Sequence, residues 1–166
     1  MLNVGRSLGV DDAVVVVGRH RDAISTALGD NATKIVFNED WERGRTGSIQ
    51  AGLRAIGAEA DVLLWPIDHP FVEANTVREL LATAARDRIA AWVMPTYEGR
   101  GGHPVWLAPA ATRLIPPLPL DAPLRNLMPQ LGVQVVRMAT TDPWVRVGTD
   151  TFEEYSAAVA RRRAEG

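Results

Sequence analysis

The chain has 166 residues, 46% hydrophobic and 23% charged, a size and balance that suit one folded domain, 1–166, and exclude a disordered chain. A net charge of -2 gives no long-range attraction to nucleic acid or an anionic membrane, and no segment approaches the roughly 18 apolar residues of a spanning helix. With no signal-peptide pattern at the start, no cysteine and three histidines, the expected setting is the cytoplasm and any bound metal is expected to be oxygen-ligated.

In chain order, residues 1–9 read as the end of an amphipathic helix that Gly9 stops before a strand at Ala13–Val17. A helix is expected at Asp22–Leu28 and a strand at Lys34–Phe37, which holds the chain's single lysine. Ser48–Ile56 places Ile49, Leu53 and Ile56 on one helical face, and Val62–Trp65 is the next apolar strand. Thr76–Arg86 has the same helical spacing in Val77, Leu80, Leu81 and Ala84, ahead of a strand at Ala91–Met94. Val105–Leu107 reads as a short strand. The prolines of Ile115–Pro119 lack amide donors, so that segment is expected as a surface loop. A short helix at Pro123–Met128, strands at Val133–Met138 and Trp144–Val147, and a last helix at Phe152–Arg163 complete the chain. Such alternation implies α/β architecture: a mostly parallel sheet with right-handed crossovers and helices on both faces.

Four segments carry residues suited to chemistry. In Trp65-Pro66-Ile67-Asp68-His69-Pro70, Asp68 follows an apolar strand, at the sheet edge where open α/β folds bind ligands. A carboxylate there suits Mg²⁺ carried on phosphates, and equally suits a turn or cap. Between Asn38 and Ser48, Gly47 and Ser48 stand at a helix start whose amides could meet a phosphate; Thr46 or Ser48 could instead cap the helix, and Trp41 could be core or a ligand platform. Tyr97–Val105 is glycine-rich: Gly102 would let backbone approach a ligand and His103 could orient a substrate, or the segment is a hairpin turn. Last, Asp150 with Glu153, or Thr151 with Glu154, has capping-box spacing, and Asp150 would serve a metal only if Asp68 is near. The sequence has no Walker-type loop, no G-x-G-x-x-G after a strand and no G-x-S-x-G elbow.

Taken together, Asn38-x-x-Trp41-x-x-Gly44-x-x-x-Ser48-x-x-x-Gly52, Ile67-Asp68-His69-Pro70, Gly102-His103-Pro104-Val105 and Asp150-Thr151-x-x-Glu154-Tyr155 resemble the MobA-like NTP transferases, nearest the molybdenum cofactor cytidylyltransferase type. The resemblance implies a Rossmann-like fold of the nucleotide-diphospho-sugar transferase kind. It also implies Mg²⁺-dependent transfer of a nucleotide from an NTP, CTP or GTP, to a phosphorylated acceptor such as molybdopterin. On it, Asp68 is a catalytic metal ligand and Asp150 the second, although the family often has an acidic residue where this chain has Gly148. Gly47 and Ser48 lie near the nucleotide, and Gly102, His103 and Pro104 line the acceptor side. The same resemblance leads one to expect an opening strand and a Leu-Ala-Ala-Gly-x-Ser-x-Arg-x-Gly loop ahead of Met1. Without them, the strands at Ala13–Val17 and Val62–Trp65 should be neighbours across a gap or pair abnormally. Two other readings stay open: a noncatalytic relative that binds a ligand or partner, and a sugar-phosphate nucleotidyltransferase.

Overall fold

The computed structural model describes residues 1–10, 12–29, 34–57 and 59–165. In chain order the elements are α1 (Leu2–Ser7), β1 (Val14–Val17), α2 (Arg21–Leu28), β2 (Lys34–Phe37), α3 (Arg45–Ile56), β3 (Val62–Leu64), α4 (Ala74–Arg86), β4 (Trp92–Tyr97), β5 (Arg100–Gly101), β6 (Val105–Leu107), α5 (Pro109–Thr112), α6 (Met128–Leu131), β7 (Val135–Ala139) and α7 (Phe152–Glu165). The chain gathers into two compact units, Leu2–Asp61 with Ala108–Gly132, and Val62–Leu107 with Val133–Gly166 and Met1.

In the first unit, β1 and β2 form a parallel pair in which Val14 faces Lys34 and Val17 faces Phe37. The helix before them ends as expected, because Gly9 turns to φ 81° while the Val10 amide reaches back to the Gly5 carbonyl. Helix α3 packs on this pair, and Gly52 is what lets it close: a Cβ there would stand 3.1 Å from Val16. Neither Thr46 nor Ser48 caps α3. The helix starts at Arg45 behind Gly44, whose φ of 139° and tight approach to the Leu120 backbone exclude a side chain. The proline-rich loop is indeed not helical, but it is not wholly at the surface. Ile115 is fully buried, and the buried Gln50 amide donates to the Ile115, Pro116 and Leu118 carbonyls, supplying partners that prolines cannot provide within the loop. The expected helix at Pro123–Met128 resolves into a 3₁₀ turn at Leu124–Leu127 followed by α6.

In the second unit the sheet runs β3-β6-β4, with β7 on the other side of β4 and β5 alongside β6's position on β4. Strand β6 is antiparallel to both β3 and β4, so β3, β4 and β7 share one direction, with β6 inserted against them. Strand β4 is the central one: Trp92 to Thr96 are all buried, as a strand covered on both faces requires. Leu80 and Ala84 of α4 pack with Ala90 and Val93, backed by Leu63, Trp106, Val136 and Met138. The connection from β4 to β5 is a two-residue turn with Glu98 at φ 50° and Gly99 at φ 75°, the pair of positive values that suits a tight hairpin. Trp144–Val147, expected as a strand, is instead a 3₁₀ turn at Pro143–Arg146, because Pro143 has no ladder donor and the Asp142 carboxylate takes the Trp144 amide. Trp144 itself is core, 1% exposed.

Strand β1 pairs with β2 and β3 with β6, and among the described residues no strand pairs with both β1 and β3.

Candidate functional site

The second unit gathers most of the expected site residues. Beyond β3 the chain turns sharply: the His69 amide donates to the Pro66 carbonyl, and the Trp65 indole donates to the His69 carbonyl. These two bonds close the loop that carries Asp68, which is half-buried just beyond the strand's carboxyl end. The Asp68 carbonyl accepts from both the Thr149 amide at 2.8 Å and the Thr149 hydroxyl at 3.2 Å. This clamp brings the segment before α7 against the β3 loop. Gly148 then faces the acidic side chain, since a Cβ on it would lie 4.0 Å from both Asp68 Oδ2 and His69 Nε2.

His103 reaches the same place by a bulge. Thr96 faces Gly101 and Tyr97 faces Arg100, yet Val93 faces Trp106, which leaves two extra residues on the returning arm. They are absorbed at Gly102-His103-Pro104, where the backbone leaves the ladder and re-aims the histidine. The hairpin turn itself lies earlier, at Glu98 and Gly99. The His103 amide donates to the Val145 carbonyl at 2.9 Å, and a methyl on Gly102 would overlap that same carbonyl oxygen. The His69 and His103 rings meet with centroids 4.8 Å apart, tilted by 54°. Pro104, the next residue, is fully buried.

Asp150 is exposed, and its amide is taken by the Glu154 carboxylate, which also accepts from the Thr151 amide while the Thr151 hydroxyl accepts from the Glu154 amide. The capping box is thus Thr151 with Glu154, not Asp150 with Glu153. Among the described residues no three His, Asp or Glu side chains could together hold a metal ion. One half-buried carboxylate with a glycine opposite does not make a dedicated cage. It does suit Mg²⁺ that arrives on phosphates and needs only one or two protein carboxylates.

Ser48 and Gly47 belong to the first unit. Asn38, 6% exposed, donates from its side-chain amide to the Ser48 hydroxyl at 3.0 Å, which leaves that hydroxyl a proton to give. The Gly47 amide is already committed to the Leu120 carbonyl, and Thr46 donates to the Ala122 carbonyl. Trp41 is half-buried, with Arg19 over its ring at 5.1 Å and Gly18 beneath, where a Cβ would meet it at 2.7 Å. Several members of the Asn38-to-Gly52 pattern therefore have packing reasons. The sequence pattern gives His69 no role of its own, marks Gly148 only as the place of a missing acid, and gives Asp142 and Thr149 no role. The Asp142-Pro143 pair, a capping residue before a first-turn proline, was the signal available for one of them.

A family model described as the MobA-like NTP transferase domain matches residues 1–135. The nicotine blue oxidoreductase of Paenarthrobacter nicotinovorans is 28% identical over 101 residues, 58% of this chain, and the match spans 50% of that relative's length. The fold matches the Rv0371c protein of Mycobacterium tuberculosis H37Rv with a TM-score of 0.80 at 23% identity, over 96% of this chain and 81% of that one. Its complex with manganese matches at 0.76 and 22% identity, over 96% and 83% of the two chains. A nucleotidyl transferase from Methanothermobacter thermautotroptrophicus matches at 0.80 and 20% identity, over 99% of this chain and 79% of the other.

Proposed function

The chain belongs to the MobA-like NTP transferase family, and from that premise we propose that it moves a nucleoside monophosphate from an NTP, CTP or GTP, to a phosphorylated pterin-like acceptor, releasing pyrophosphate. The observation that supports this most is the second unit's rim, where a clamped Asp68 stands beside the His69 and His103 pair.

In this reading an acceptor phosphate oxygen attacks the α-phosphorus in line, one P–O bond forms, and the bond to pyrophosphate breaks. Asp68 would hold Mg²⁺ carried by the triphosphate, and the ion would neutralise charge on the attacked and leaving oxygens. His103 donates a hydrogen bond to the acceptor phosphate, and His69 stands against its ring. The bulge and the Thr149 clamp keep these groups from reorganising as charge develops, which is where such sites gain most of their rate. In the first unit the Ser48 hydroxyl, which accepts from Asn38, keeps a proton to donate to a phosphate or ribose oxygen.

Titration calorimetry with CTP and GTP, with and without Mg²⁺, followed by a pyrophosphate-release assay with a phosphorylated pterin, tests the proposal. Saturable, metal-dependent binding and acceptor-dependent release are expected. Gly148 beside Asp68 favours a second reading, a relative that binds the ligand without transferring a nucleotide. That reading gains if binding ignores the metal and no pyrophosphate appears. Redox chemistry, as in the name of the Paenarthrobacter nicotinovorans relative, would show as cofactor oxidation with no pyrophosphate.

A further inference from the structure

Asp142 is 4% exposed and lies outside the rim, yet three groups converge on its carboxylate. Oδ2 accepts from the Glu73 amide and the Thr76 hydroxyl, each at 2.9 Å, and Oδ1 accepts from the Trp144 amide at 2.9 Å. Two of these donors belong to the start of α4, where the helix dipole also favours a negative charge. The third belongs to the Pro143–Arg146 turn. A buried carboxylate with three donors is a rigid junction, because letting any partner go exposes a charge to a low-dielectric interior.

What hangs from that junction is the site. One residue past Trp144 the same turn gives the Val145 carbonyl to the His103 amide, and the next residue, Arg146, donates from its guanidinium to the Gly101 carbonyl at 2.6 Å. Further along, Gly148 faces Asp68 Oδ2 and His69 Nε2, and Thr149 clamps the Asp68 carbonyl. Residues 142–149 thus form a bracket: one end is pinned to α4, the middle carries the His103 bulge, and the far end carries the β3 loop. The two histidines come from loops 34 positions apart, so the spacing of their rings depends on this shared support.

We propose that Asp142 is a positioning residue which sets the placement of His103 relative to His69 and Asp68 by anchoring the 142–149 bracket to α4. Its consequence for catalysis rests on the nucleotidyl-transfer reading; its consequence for the histidines does not. Asp142→Asn keeps the shape but sets an N–H against one of three donors, so the bracket must shift. The chain's three histidines make this readable, since His20 is exposed in the other unit and serves as an internal reference.

The experiment records imidazole NMR signals and steady-state kinetics for wild type and Asp142→Asn. The expected result is displaced His69 and His103 signals with His20 unmoved, and kcat lowered about ten- to a hundredfold while KM for the NTP stays within about twofold. A carboxylate that merely supports the fold would lower the melting temperature and leave the folded-state histidine signals in place, and that outcome overturns the proposal. Should Asp142→Asn fail to fold, Thr76→Val removes one donor and keeps the charge. It is expected to move the same two signals in a folded protein, and unmoved signals there also overturn the idea. Displaced signals in a protein whose wild type releases no pyrophosphate would sink the transferase reading and leave the bracket standing.

Discussion

Asp68 owes its place to its backbone: both hydrogen-bonding groups of Thr149 converge on its carbonyl oxygen, an acceptor with two lone pairs. Substituting Asp68→Asn leaves that carbonyl intact, so the fold should keep its stability within about 1 kcal/mol. Metal-dependent NTP binding and transfer should fall by about a hundredfold or more, which calorimetry and pyrophosphate release would show. Gly102 gives the opposite kind of test, because its role is space rather than charge. Gly102→Ala forces a methyl onto the Val145 carbonyl and should cost about 1–3 kcal/mol in urea unfolding, with His103 displaced as the bulge yields. Both residues stand out in the sequence, one as an acid after an apolar strand and one as part of a glycine run. The fact that Gly148 faces the Asp68 carboxylate does not stand out, since it depends on how two loops 80 positions apart are clamped.

Helix α7 shows how an element is secured when its own face buries little. Only Ala158 is buried along it, so its ends must carry the load. At the start the Thr151 and Glu154 box satisfies three amides, and Thr151→Ala should cost about 1 kcal/mol, readable as a lower melting temperature with the site's chemistry unchanged. At the other end Glu165 accepts from Arg161 at 2.7 Å and from the Trp144 indole at 3.2 Å, while both Arg161 and Arg162 lie over the Trp144 ring. The Arg161 hydrogen bond is the main reason the Glu165 carboxyl sits below the ordinary carboxylate range. A depressed folded-state value means that this clasp contributes above the unfolded carboxylate range and is lost as pH falls through the folded one. The melting-temperature difference between wild type and Glu165→Gln should therefore be present at neutral pH and vanish in acid, once the pH falls below the depressed folded-state range of Glu165. The capping box was legible from its spacing. The Trp144 clasp was not, because it joins residues 21 positions apart.

Across the whole molecule the chain is woven rather than divided in sequence. Each compact unit draws on two separated stretches, and the buried β4 is completed by β7, which pairs with it over five residues from Trp92↔Val135 to Thr96↔Ala139. Non-local pairing of that kind has to wait for the chain's last quarter. Removing residues 133–166 should therefore strip amide-exchange protection from residues 92–96 and abolish cooperative unfolding of the second unit. No helix among the described residues is long and apolar enough to cross a membrane.

Local pattern was enough to locate nearly every strand and helix, the α/β class, and the strand end where Asp68 stands, because apolar periodicity and glycine or proline boundaries act over a few residues. The tertiary structure alone decided that Gly102-His103-Pro104 is a bulge rather than a turn, that Pro143–Arg146 is a 3₁₀ turn held by Asp142, and that Gly148 stands opposite Asp68. Each of those outcomes is set by register and by hydrogen bonds between distant segments, whose partners no window of neighbouring residues contains.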